Sequence, residues 1–300
     1  MMEDYMVRAI AAGEQIRAFA VTSANIAETA RKAHNTSPIA TAALGRTMSG
    51  ALMMADMLKG DQDLLTIRID GDGPLQGITV TADNHGNVKG FVGNPYVILP
   101  PNESGHLNVG GGVGKGTLTV IRDLDLKNTY SGQVELYSGE IAEDLTHYFA
   151  ESEQIPSAVG LGVLMNRTNT VRCAGGYIIQ LMPFASDEVI GALEENIRDA
   201  GYVTDMLDAG LTPEDMLRTV LKGFDVDITD RKPVRFHCNC ERERVERALL
   251  LVGEKELTDM IEKGEPVELS CRFCGKKYRF LVPELESIRR ELRSQKDGEA

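Results

Sequence analysis

The stretch LLTIRIDGDGPLQGITVTADNHGNVKGFVG, residues 64–93, decides the fold class of this chain. Apolar residues recur at every second position through LLTIRID, ITVTAD and VKGFV, the period of a strand with one buried face, and GDGP and NHGN supply turn chemistry between the runs. Runs joined by turns this short pair antiparallel. After a glycine-rich loop, GTLTVIRD and GQVELYS carry the alternation on to about Val134, so an antiparallel meander is expected.

Working outward, YMVRAIAA, a Gly13-Glu14 turn and a second extended run through Val21 read as a hairpin. Ser37-Pro38 is a cap followed by proline at the first helical position. Leu44, Met48, Ala51, Leu52, Ala55 and Leu58 then fall at three- and four-residue steps until Lys59-Gly60, which predicts a long, mostly buried helix. A further helix carries Ile141, Leu145, Tyr148 and Phe149 on one face. Two strand-like runs, AVGLGVLM and TVRCAGGYIIQLM, flank a turn at Asn166-Arg167-Thr168-Asn169. Hairpins with segregated helices make this an α+β fold instead of a doubly wound parallel sheet.

Past Pro183 the texture changes to short helical pieces. Ser186 caps a helix reaching about Ala200, and Thr212-Pro213-Glu214-Asp215 opens another that stops at Gly223. The segments DAG and DVDITDRKP read as connections. The expected organisation is an α+β core domain over residues 1–180, a helical linker over 181–232, and a small C-terminal domain, which holds four of the five cysteines, with a short tail over 233–300.

The net charge of −13 is unevenly spread: from Arg231 onward there are 16 basic and 14 acidic residues, leaving 16 and 31 before it, or +2 against −15. So acidic a main body repels phosphate backbones and argues against general nucleic-acid binding. The opening MMEDYMVRAIAAGEQIRAFAV has neither a cationic segment nor an uninterrupted apolar one, and no apolar run approaches the ~18 residues of a membrane span, so a cytoplasmic protein without a membrane partner is expected.

Several features admit a bland reading. GGGVGKGT, Gly110 to Thr117, fails the spacing of a phosphate loop and leads into a strand-like run, so it is expected to be a glycine-rich turn. Cys173 lies in an apolar strand and behaves as a small core residue. His34, His85, His106 and His147 are dispersed, with no metal-ligand partner nearby in sequence, and the sequons at Asn35, Asn102 and Asn166 carry no meaning without secretion. Met53, Met54 and Met57 are expected in a helix core before a binding surface.

Four of the five cysteines fall between Cys238 and Cys274, as CNC and CRFC about thirty residues apart. In a reducing compartment two such pairs point to a metal site or a redox device before a disulfide framework. Structural zinc takes four N or S ligands in a tetrahedron, which Cys238, Cys240, Cys271 and Cys274 supply. VELS before Cys271, Gly275 after Cys274 and KKYRFLV beyond have the pattern of a hairpin knuckle. Val245, Ala248, Leu249 and Val252 form a helical stripe after the first pair. His237 is left out, because adjacent residues rarely reach one metal and four thiolates complete the shell. About fifty residues cannot hold themselves together by core burial alone. Structural zinc contributes on the order of 10–16 kcal/mol to such a fold. A zinc-bound thiolate is also open to electrophilic oxidants, so the site is a candidate switch.

At these residues the chain resembles the heat shock protein 33 family of bacterial redox-regulated chaperonins. The resemblance rests on the two cysteine pairs, RERVERAL after the first pair, SPIATAALGR with LKG in the long helix, GDGPLQG, and NVGGGVGKGTLTVIRD, and it covers nearly the whole chain. Glu241 departs from the serine that members often carry after the first pair. The resemblance implies a non-enzymatic, ATP-independent holdase that is inactive when one zinc per chain is held by Cys238, Cys240, Cys271 and Cys274. It implies that oxidants form Cys238–Cys240 and Cys271–Cys274 disulfides, release zinc and destabilise the linker, and that the protein then binds unfolding clients, usually as a homodimer. Two other classes remain open: a thiol-disulfide oxidoreductase using Cys271 and Cys274, disfavoured by the hairpin setting, and a nucleic-acid-binding zinc ribbon using Lys276, Lys277, Tyr278 and Arg279.

Overall fold

The computed structural model describes residues 3–124 and 129–298. Met1 and Met2, which open the segment searched for a leader, and the last two residues of the expected C-terminal domain lie outside the described residues. The chain divides into two compact units, Met1–His237 and Cys238–Ala300.

The first unit opens with the expected hairpin, β1 (Tyr5–Ala11) and β2 (Ile16–Thr22), paired from Met6 opposite Val21 to Ala11 opposite Ile16. Two helices follow, α1 (Ala24–His34) and α2 (Pro38–Ala55). The Ser37 hydroxyl accepts the Ala40 N–H at 3.3 Å and so caps α2, as the Ser-Pro pair predicts. The helix ends at Ala55 with Asp56 as its cap, short of Lys59-Gly60. Nearly every residue of α2 is buried, the signature of a helix enclosed on all sides.

Strands β3 (Leu64–Gly71), β4 (Ile78–Asp83) and β5 (Asn87–Val92) form the predicted meander. After the one-turn helix α3 (Val109–Val113) the chain returns to the free side of β3 as β6 (Gly116–Asp123) and β7 (Thr129–Glu135). Helix α4 (Ala142–Glu151), with Ile141, Leu145, Tyr148 and Phe149 all buried, leads to the antiparallel pair β8 (Ser157–Met165) and β9 (Val171–Leu181). Then come α5 (Asp187–Asp199), α6 (Val203–Asp208), α7 (Pro213–Val220), β10 (Val226–Pro233) and the two-residue β11 (Arg235–Phe236). The strands make a five-stranded sheet, β10-β1-β2-β9-β8, and a six-stranded sheet, β11-β5-β4-β3-β6-β7, with α2 packed on both. A Cβ on Gly45 would lie 2.8 Å from Val163 of β8, and one on Gly50 would lie 2.6 Å from Leu145 of α4. Neighbours therefore close on α2 where it has no side chain.

The five-stranded sheet is buried on both faces. Phe19 and Val21 of β2 join the core around α2, whereas Ala18 and Ala20 join a second core with Leu193, Val203, Met206, Met216, Leu217 and Val220 of α5, α6 and α7. The segment 181–232, expected as a linker, thus supplies the cover of that second face, and the compact unit continues to His237. DVDITDRKP differs from its reading as a connection: it is β10, running antiparallel to β1 from Tyr5 opposite Pro233 to Ala11 opposite Val226, with an irregularity at Arg8/Ala9. Its residues alternate half-buried and exposed. Asp227, Asp230, Arg231 and Lys232 hid this periodicity, because such charges are poor strand formers except at an edge.

The second unit holds α8 (Arg242–Val252), α9 (Glu254–Glu262), the hairpin β12 (Val267–Ser270) and β13 (Lys277–Phe280), and α10 (Val282–Gly298). Leu249, Leu257, Tyr278, Phe280, Leu285 and Ile288 form its buried core. Of the stripe expected on α8, Leu249 is buried and Val252 is exposed.

Candidate metal centre

The four cysteines come from two local structures. Cys238 and Cys240 sit on the extended run between β11 and α8, where alternation turns both inward while Asn239 is exposed. Cys271 and Cys274 occupy the turn between β12 and β13. There the Cys271 N–H donates to Lys276 O at 2.9 Å and the Gly275 N–H donates to Cys271 O at 2.8 Å. Gly275 has φ +70°, which a glycine adopts without a Cβ penalty. This is the knuckle that VELS–CRFC–GKKYRF predicts, and it lies in a hairpin, not at the start of a helix where a redox C-x-x-C works.

All four Sγ atoms lie within 4.8 Å of one another. The Cys238 and Cys271 sulfurs are 3.7 Å apart, and those of Cys240 and Cys274 are 3.2 Å apart. A zinc–sulfur bond of about 2.3 Å in a tetrahedron gives sulfur–sulfur edges of about 3.8 Å, so this donor set fits zinc. Disulfide sulfurs lie at about 2.05 Å, and all five cysteines are free thiols.

Electrostatics require a cation for the four to act together. Burial, with the nearby Cys240 sulfur, pushes the Cys238 thiol up to about 11. Burial and the three neighbouring sulfurs push Cys274 higher still. Burial also acts upward on Cys240, but hydrogen bonds from Tyr278 and the other three cysteines outweigh it and bring that thiol down to about 7. Burial and crowding thus oppose the ionisation of Cys238 and Cys274 beside Cys240. A dication reverses this and ionises them all.

The surroundings hold the two segments in place. The Tyr278 hydroxyl donates to the Cys240 carbonyl, tying the hairpin to the first pair. The Arg242 guanidinium lies 4.3 Å from the centre of the Phe280 ring and pairs with Glu284 at 2.7 Å. Neither partnership has a signal in the linear sequence, since each joins residues far apart in the chain. His237 is exposed and does not belong to the sulfur cluster. Glu241 is the N-cap residue of α8, and its side chain makes no capping hydrogen bond.

The other sequence features fall elsewhere. Cys173 is buried in β9, 9% exposed, and burial with the nearby Asp208 carboxylate pushes its thiol up to about 11. Met53 and Met54 are core residues, and Met57 packs against that core. His34 contacts Gly90 O at 3.1 Å, His85 pairs with Asp61, His106 meets Tyr202 edge-on and His147 stacks near Tyr137. The glycine-rich loop makes the single turn α3, and its donors are already taken: the Gly110 N–H by Glu140 at 3.0 Å, Gly111 by Asn108 at 2.8 Å and Lys115 by Asp72 at 2.7 Å. It therefore offers no phosphate cradle. Lys277 is paired with Glu268 at 2.7 Å, and Tyr278 is a core residue beneath Lys276, so the basic-aromatic stripe is largely engaged within the unit. Among the described residues, no helix is long and apolar enough to cross a membrane.

Comparison with known proteins places the chain in a family. The family described as Hsp33 protein matches residues 4–281. A 33 kDa chaperonin of Lachnoclostridium phytofermentans is 55% identical over 287 residues, covering 96% of this chain and 98% of the relative. The 33 kDa chaperonin of Bacillus subtilis is 46% identical over 287 residues, covering 95% and 98%. The crystal structure of the 33 kDa chaperonin (heat shock protein 33 homolog) of Thermotoga maritima superposes with a TM-score of 0.90 at 34% identity, covering 99% of this chain and 100% of that one. A whole-length match in sequence and fold, with a four-sulfur cluster near the C-terminus, shows that this chain belongs to the Hsp33 protein family.

Proposed function

We propose that this protein is a redox-regulated, ATP-independent holdase of the cytoplasm, with no enzymatic activity and with no nucleic-acid or membrane partner. The observation that carries the reading is the cluster of four sulfurs within 4.8 Å, drawn from two segments of one small unit. Cys238, Cys240, Cys271 and Cys274 hold one zinc per chain in the reduced state; bound zinc keeps the four thiolates ionised and joins the segments.

Oxidation acts on the cysteines themselves. Each disulfide forms as two thiolates lose two electrons, so two equivalents of a two-electron oxidant such as hypochlorite, each taking two protons from solvent and reduced to chloride and water, convert all four ligands into two disulfides. The pairing Cys238–Cys240 and Cys271–Cys274 follows the family resemblance. Sulfurs also approach across the pairs, at 3.7 Å for Cys238 and Cys271 and 3.2 Å for Cys240 and Cys274, so the arrangement of thiols does not itself select it. Once the ligands are consumed the zinc leaves, and the unit loses a contribution that its small buried core cannot replace. The protein then binds unfolding polypeptides as a homodimer and keeps them from aggregating.

Light scattering of a heat-unfolding client tests this directly, with reduced zinc-loaded and hypochlorite-treated protein compared while released zinc is titrated. Suppression after oxidation alone, with about one zinc released per chain, is the expected outcome. No suppression by either form would remove the holdase reading, and equal suppression by both would remove the redox switch.

A further inference from the structure

β10 is the last long strand of the first unit, and its final two charges engage opposite faces of the sheet, as strand alternation requires. On one face the Arg231 guanidinium lies 4.1 Å from the centre of the Tyr5 ring and 3.9 Å from Glu214, whose carboxylate accepts the Tyr5 hydroxyl at 2.7 Å. Arg231 is 62% exposed there, so the pair is weak. On the other face Lys232 donates to Asn84 O at 2.9 Å and pairs with Asp56.

Asp56 is a costly residue to leave alone. Its side chain is 2% exposed, and neither oxygen has a hydrogen-bond donor in good geometry. It also caps the C-terminus of α2, the negative end of the helix dipole, where a carboxylate is disfavoured. Two cations meet this charge, Lys232 and, at 3.8 Å, Arg8 of β1. The nearer one is carried by a strand at the edge of the sheet.

We propose that Lys232 is a charge latch: its ion pair with Asp56 holds β10 on β1, and when it is lost β10 detaches as a local event, opening the β1 edge while the rest of the first unit stays folded. The physical reason is asymmetry. Removing one partner of a buried pair strands the other charge in low dielectric, and the least costly way to rehydrate Asp56 is to lift the edge strand that covers it. The latch stands six residues before Cys238 in the chain. The inference concerns the strand and holds whether or not the protein suppresses aggregation.

Amide hydrogen exchange of the reduced, zinc-loaded full chain reads it out. Lys232→Met is expected to speed exchange across Val226–Phe236 roughly 100-fold or more while β3 and β9 keep wild-type protection. Adding Asp56→Asn to Lys232→Met should restore most of the protection, because no buried charge is then stranded. Arg8→Met, which removes the more distant and exposed cation, should change exchange much less. Unchanged exchange in Lys232→Met, an equal acceleration across β3, β9 and β10, or a double variant no better protected than the single one would each overturn the latch. The light-scattering result of the preceding subsection has no bearing on these outcomes, so the two readings fail separately.

Discussion

Replacing Cys271 by serine removes one of four equivalent corners of the sulfur cluster. Cys271 is the thiol 3.7 Å from Cys238 and is fixed by its own N–H to Lys276 O and its carbonyl to the Gly275 N–H, so the loss is confined to the ligand atom. If structural zinc is worth about 10–16 kcal/mol, an equal share per sulfur is about 2.5–4 kcal/mol, or roughly a hundredfold to a thousandfold in affinity. Competition against a chromophoric chelator under reducing conditions measures this, and Cys173→Ser serves as the control because Cys173 lies in β9 outside the cluster. A loss below tenfold in Cys271→Ser, or a comparable loss in Cys173→Ser, would refute the assignment of the site. The same variant should lose exchange protection over α8, α9 and the β12–β13 hairpin, since the metal joins segments that the small core does not secure by itself.

Peptide mapping after hypochlorite treatment should recover Cys238–Cys240 and Cys271–Cys274 links; predominant Cys238–Cys271 or Cys240–Cys274 links would show that oxidation joins the sulfurs that approach across the pairs. Asp144 is fully buried and accepts the N–H groups of Tyr137, Ser138, Gly139 and Ile141 at 2.8–3.1 Å, so Asp144→Ala should destabilise the first unit by roughly 3–5 kcal/mol in urea unfolding, and a loss under 1 kcal/mol would contradict that accounting. Burial pushes the Asp4 carboxyl up from 3.8 to about 6 against the opposing hydrogen bonds from Ile26 and Asn25. The folded state therefore binds this proton more tightly than the unfolded chain between about pH 4 and 6. Its contribution to stability is full below that window and is lost as pH rises through it. Asp4→Asn should flatten this slope by on the order of 2–3 kcal/mol, and a wild-type-minus-variant difference independent of pH would show that the carboxyl does not titrate as its burial requires.

The elements of the first unit were legible where a short window contains the whole cause. Ser37-Pro38 starts α2 because cap and helix are adjacent. LLTIRID, ITVTAD and VKGFV are strands because alternation is local. β10 escaped because its apolar positions, Val226 and Ile228, are few, and Asp227, Asp230, Arg231 and Lys232 suit an edge that only the assembled sheet provides. α5 and α7 were legible as helices and the short α6 was not, and the packing of all three was hidden. That depends on β1, β2 and β9 being apolar on both faces, which leaves a second face to cover. Likewise the return of the chain after α3 to place β6 beside β3 has no marker in the loop that makes the crossing.

The candidate site divides in the same way. Two cysteine pairs, a glycine after the second and a hairpin pattern around it mark four candidate ligands from sequence alone, because each pair is pre-positioned by a few bonds of local chain. That all four sulfurs converge within 4.8 Å depended on how the two segments meet through Tyr278 and the small core. The burial of Asp56 and its dependence on Lys232 were likewise decided only by the fold, which brings a helix end and an edge strand together over 176 positions of chain. Sequence by itself determined which residues can bind metal, cap helices or alternate along strands, since those are properties of chemistry at short range. Tertiary structure decided which charges are buried and which strand is left at the edge, since both depend on what the rest of the chain has already covered.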